Sequence, residues 1–193
     1  MMAQIQQEKD RLDLAPKKFN MWIFIFTSFM FFAALTSAFI VYSGGKGHGL
    51  SINLPGVFLY STATILVSSI TMFLASRAAK RLQFGKQRLF LWSTIALGVA
   101  FFALQIYGWS LLVNMGVYFS NPNASQSFVY VFTGMHLLHI IAGLLLLANT
   151  LVGSYRNVPQ VKNLYGMEMS GIFWHFIDII WIYLYVFLIL NQK

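Results

Sequence analysis

There is no cysteine among the 193 residues. That excludes disulfides, thiolate-bound zinc and any cysteine-ligated copper or iron–sulfur centre. Charge is also scarce, at 9% of residues, where a soluble domain carries about 25%. Acidic residues are rarer still: Glu8, Asp10 and Asp13 stand in the first 13 residues, and the other 180 hold only Glu168 and Asp178. The apolar runs lack period-2 alternation and are too few for a closed barrel, so membrane-crossing strands are excluded. No internal repeat or low-complexity tract divides the chain, and no loop is long or polar enough to build an active site outside the membrane. The net charge of +8 raises nucleic acid as a partner. The basic residues gather at the ends of apolar runs, however, where they set topology and meet lipid headgroups, so no nucleic-acid partner is expected.

Hydrophobic residues make up 58% of the chain, in five runs of the length needed to cross a hydrocarbon core about 30 Å thick. The spans are expected near 21–43, 55–76, 89–113, 128–153 and 167–190, giving an all-α integral membrane bundle of five transmembrane helices. Residues 1–20 read as a cytoplasmic tail punctuated by Pro16, without the small-residue cleavage signature of a signal peptide, and 21–193 as one membrane domain. Eleven Lys and Arg residues fall on the side of the tail and only Lys46 and Lys193 on the other, which predicts an inside N-terminus and an outside C-terminus. Trp22 and Trp92 near inner span ends, with Tyr42 and Trp109 near outer ends, fit an aromatic belt. His48, in the loop GGKGHG, reads as a solvated residue.

The polar residues within the spans set the functional question. An aspartate at the centre of a membrane helix costs about 2.5–3.5 kcal/mol on insertion scales, and such residues face a bundle interior with a partner. In the fifth span Glu168, Gly171, His175 and Asp178 are spaced 3, 4 and 3 apart, on one stripe of one helix. In the fourth, His136, His139 and Gly143 repeat the 3 and 4 spacing. Spans four and five share a short inner loop, so the two stripes are expected to face each other, with His139 and Asp178 as the principal pair. Three chemistries remain open for His136, His139, Glu168, His175 and Asp178: a self-satisfied polar seam, a proton relay, or a haem or metal site. The relay has precedent in intramembrane carboxylate–histidine chains. The third is limited because His136 and His139 share a helix. No residue is assigned a catalytic, cofactor-binding or metal-ligating role. Ser28, Thr36, Thr62, Ser68, Ser69, Thr71 and Gln105 can bond backbone or neighbouring helices without special function. Arg77, Lys80 and Arg81, at the inner end of span two, are candidate lipid-headgroup contacts.

Trp174, His175, Phe176, Asp178 and Trp181, in FWHFIDIIWIYLYVF, resemble the WHFxDxxW signature of subunit III of haem–copper terminal oxidases. Glu168 stands seven residues before His175, where that family also carries a glutamate. Gly134, His136, His139 and Gly143 resemble its GxHxxHxxxG segment, and Gln105 its third-core-helix glutamine. The similarity runs from about residue 20 to the end. It implies a five-helix form without the two N-terminal helices of the seven-helix version, which in related oxidases can be absent or carried by another subunit. It further implies an accessory subunit of a proton-pumping cytochrome c oxidase in aerobic respiration, in a bacterial cytoplasmic (inner) membrane. Such a chain binds no redox cofactor itself; haem and copper reside in partner subunits. It stabilises subunit I beside subunit II, supports proton uptake, and can hold phospholipid or join a larger respiratory supercomplex. Two departures stand out: Ser28 replaces a family glutamate in TSFMFF, and Gly108 replaces another shortly after Gln105. The alternatives are a subunit of a quinol oxidase or of a nitric oxide reductase-associated homologue, and more remotely a stand-alone proton channel or transporter.

Overall fold

The computed structural model describes residues 14–44, 50, 54–120, 124–156 and 160–192, with only the backbone at 14 and 15. The head residues Glu8, Lys9, Asp10, Arg11 and Asp13, the loop residues Lys46 and His48, and Lys193 lie outside the described residues. Five helices follow one another: α1 Leu14–Ser43, α2 Val57–Lys80, α3 Phe84–Asn114, α4 Ala124–Tyr155 and α5 Gln160–Leu190. All five are long and apolar enough to cross a membrane. A helix pairs its own backbone groups, which is the condition for entering hydrocarbon. Among the described residues there is no strand, only an isolated bridge between Leu50 and Gln192.

The helices outrun the apolar runs at their basic ends. Residues 14–20, expected in the tail, form the opening turns of α1. Pro16 falls in its first turn, where the missing N–H has no intrahelical partner to lose. Two helix ends are closed by the same hydrogen-bond pattern. After α2, Gln83 N bonds Ala78 O at 3.1 Å and Leu82 N bonds Ala79 O at 3.1 Å. After α3, Val117 N bonds Leu112 O and Gly116 N bonds Val113 O, both at 3.0 Å. The pattern needs a left-handed residue, supplied by Gly116 in one case and by Leu82, with φ 58°, in the other.

Helices α2 to α5 form a four-membered ring in which each packs on the next and α5 closes back on α2. Helix α1 lies outside the ring against α4 and α5 only. Small residues let α2 approach its neighbours closely: Ser61, Ser68, Ala75, Ala78 and Ala79 are all buried. Helix α5 touches every other member except α3 along its length, and reaches α3 through side chains at the ring's centre.

Candidate functional site

The centre of the ring is occupied by two tryptophans of α5. Trp174 and Trp181 are seven residues apart, hence on one face of the helix, and both are fully buried. Trp174 donates its indole N–H to Ser68 Oγ of α2 at 3.0 Å. Its ring fills a slot between two glycines: a Cβ on Gly98 of α3 would lie 2.8 Å from Cη2, and one on Gly143 of α4 would lie 3.0 Å from Cε3. Trp181 donates to Thr62 Oγ1 of α2 at 3.0 Å. It stacks near Phe58 of α2, meets Phe101 of α3 edge-on, and lies 5.0 Å from the His136 ring of α4. Each tryptophan therefore touches three other helices, and an apolar body with one polar handle suits that task.

The stripe Glu168, Gly171, His175 and Asp178 runs beside this pair, and it faces α2 rather than α4. Gly171 abuts Ser76 and Met72 of α2. His175 Nδ1 shares a 2.7 Å hydrogen bond with Ser69 Oγ. Asp178 is buried, with Oδ2 3.9 Å from His175 Nδ1 and no hydrogen-bond partner on either oxygen among the described residues. The polar group that α2 brings near Asp178 is the Ser69 hydroxyl, which is already engaged with His175. Glu168 lies about half exposed toward the N-terminal end of α5 and pairs with Lys18 of α1.

The expected facing of the two stripes is therefore corrected. His139 does not meet Asp178. Its Nδ1 is 2.8 Å from its own helix's Met135 O, and its Nε2 is 3.3 Å from Ser28 Oγ of α1. Its ring lies between Phe24 and Phe32 of α1. His136, three residues earlier, is rotated by about 60° on the wheel, enough to point into the ring. There it is fully buried between Phe101 and Trp181, and neither nitrogen has a hydrogen-bond partner among the described residues. The three histidines thus point to three different neighbours: His136 to the core, His139 to α1, His175 to α2. Among the described residues no three His, Asp or Glu side chains converge as a metal would require.

Other polar pairs reinforce the ring. The amides of Gln87 of α3 and Asn163 of α5 are both buried and exchange hydrogen bonds of 3.1 and 3.3 Å. Arg88 donates to Ser154 of α4 and lies 4.4 Å above the Tyr155 ring. Gln105 donates to Ser61 Oγ at 3.0 Å. The position of Gly108 is closed by Phe58, whose Cε2 would lie 3.2 Å from an added Cβ, so the ring leaves no room for a longer side chain there unless Phe58 moves. Arg77, Lys80 and Arg81 are exposed at the C-terminal end of α2.

Sequence reading missed the cations that actually share a cavity. An opening of about 490 Å³ between α1, α4 and α5 is lined by Lys17, Arg156 and Lys162, with Asn149, Tyr165 and Asn163. Among the described residues its walls include no acidic side chain. These cations come from three separate segments, and only the count of inner-side charges hinted at them. The importance of Gly98, Ser68 and Thr62 was equally hidden, because each matters only through a tryptophan far along the chain.

Fold and site together define a multi-pass helical membrane protein whose intramembrane polar groups are spent mainly on joining helices. Residues 13–191 match the family model of cytochrome c oxidase subunit III. The chain belongs to that family. It is 28% identical over 182 residues to cytochrome c oxidase subunit 3 of Alkalihalophilus pseudofirmus, covering 92% of this chain and 88% of that one. It is 29% identical over 184 residues to the subunit of the same name from Bacillus subtilis, covering 92% and 87%. It is also 32% identical over 168 residues to cytochrome bo(3) ubiquinol oxidase subunit 3 of Pseudomonas aeruginosa, covering 85% and 79%.

Proposed function

We propose that the chain is the accessory, non-redox subunit III of a proton-pumping haem–copper oxygen reductase in a bacterial cytoplasmic membrane. Its partners are the haem–copper subunit I and subunit II, within a larger respiratory assembly where one forms, and it carries no haem or copper of its own. It stabilises subunit I and supports proton uptake. The observation that carries this reading is the divergence of His136, His139 and His175 toward three different neighbours, in a chain of the subunit III family. Such an arrangement suits holding helices together. The five polar residues belong to that role: His136, His139, His175 and Asp178 within the bundle, and Glu168 at its inner rim. The N-terminus lies inside and the C-terminus outside, with residues 1–20 on the inner side. Phospholipid binds at that side, its phosphate held by Lys17, Arg156 and Lys162 and the surrounding headgroups met by Arg77, Lys80 and Arg81.

The resemblance to a ubiquinol oxidase subunit supports quinol as a second electron donor to consider. An affinity tag on this chain tests both points. It should recover a haem- and copper-containing complex with oxygen-reducing activity, and assays with reduced cytochrome c and with ubiquinol should name the donor. Recovery of the chain without a haem protein would overturn the reading. So would robust proton flux through vesicles holding this chain alone, which is what a stand-alone channel requires.

A further inference from the structure

Helix α5 is covered by α1, α2 and α4 and bare on the face between α1 and α2. Helix α1 packs on Phe173, Tyr183 and Phe187. Helix α2 packs on Trp174, His175 and Trp181. The strip left between them reads Ile172, His175, Ile179, Ile182, Val186 and Ile189, spaced 3, 4, 3, 4 and 3. That spacing puts the six on one face of the helix, and five of them are β-branched aliphatic residues. The seam is open: Ile179 is 64% exposed, Val186 47% and Ile189 42%.

His175 identifies what covers it. Its side chain is 36% exposed, about 10 Å deeper than Glu168 at 1.5 Å per residue. Nδ1 is engaged with Ser69, whereas Nε2 makes no hydrogen bond among the described residues. Facing lipid tails, that nitrogen would lose its hydration with nothing in return. One polar residue in an otherwise aliphatic seam is also how helix pairs fix their register.

We infer that this seam of α5 is the docking surface for one transmembrane helix of the haem–copper catalytic subunit. That helix presents aliphatic side chains to the isoleucines and a hydrogen-bonding side chain at the depth of His175. The inference rests on the proposed role as an oxidase subunit and adds the face through which the chain is held.

Photo-crosslinking in membranes that contain the assembled complex tests it. A benzophenone amino acid is placed in turn at Ile179 and Val186 on the seam, and at Val99 of α3 and Leu145 of α4, which are 54% and 67% exposed. Seam positions should crosslink to the haem–copper subunit, with the product lost at positions 99 and 145. Crosslinks between two copies of this chain, or to lipid alone from 179 and 186, would overturn the inference. If the tagged chain recovers the haem–copper subunit yet only the control positions crosslink to it, the docking face is wrong and the proposed function stands. If no haem protein is recovered, both fail.

Discussion

The Trp174 indole occupies the space that a side chain on Gly98 would need, with Cη2 2.8 Å from where a Cβ would stand. Its other edge lies against Gly143, where an added Cβ would stand 3.0 Å from Cε3. Gly98→Leu should therefore destabilise the chain by about 1–3 kcal/mol through overpacking, and Trp174→Ala by about 3–5 kcal/mol through the cavity left behind. Gly85→Ala is the control, since nothing lies within 4 Å of a Cβ there. The measurement is the temperature at which the chain separates from the purified complex. Both core variants should lower it, and the control should leave it unchanged or slightly raised.

The indole N–H groups of Trp174 and Trp181 depend on single hydroxyls of α2. Ser68→Ala and Thr62→Val each remove one acceptor. Interhelical hydrogen bonds in membranes average about 0.6 kcal/mol and reach about 1.7 kcal/mol. Each variant should fall within that range, and the double variant should equal their sum, because the two bonds lie roughly two helical turns apart. Comparing dissociation midpoints of the three variants checks the additivity.

The Lys18–Glu168 pair joins α1 to α5 with both side chains about half exposed. Solvent and salt screen it, so its coupling should stay below about 1 kcal/mol. A double-mutant cycle with Lys18→Gln and Glu168→Gln on subunit retention measures it directly. The coupling should shrink further as salt is raised.

The cavity between α1, α4 and α5 gathers Lys17, Arg156 and Lys162, with no acidic side chain among the described residues that line it. Arg156→Gln combined with Lys162→Gln should lower the anionic phospholipid that co-purifies with the complex, as counted by mass spectrometry of extracted lipid. Lys86→Gln, a change outside the cavity lining, should leave the lipid count as it was.

The five helices were legible in the sequence because hydrocarbon imposes length and composition on each segment separately. The polar stripes were legible for the same reason: spacing alone decides which residues share a face. What spacing cannot decide is which helix that face meets. His136 and His139 differ by only about 60° on the wheel, yet one enters the core and the other turns to Ser28 of α1. The short loop between α4 and α5 correctly implied neighbours, but their contact is made by Trp174, Ile177 and Gly143 rather than by the polar stripe. Asp178 was given a partner because burial of a carboxylate calls for one. Its neighbours are instead the Ser69 hydroxyl of α2 and, at 3.9 Å, His175 of its own helix. Residues whose role is to leave space, such as Gly98, give no signal until the tryptophan that uses the space is located.

The most direct test of the central claim is to remove this chain from the oxidase and record the reduced-minus-oxidised haem spectrum alongside oxygen consumption over many turnovers. The account predicts an unchanged haem spectrum, with activity that starts near normal and then declines because proton supply and subunit I stability are impaired. Loss of a haem signal on removal would contradict it, since that would make the chain a carrier of the redox centre.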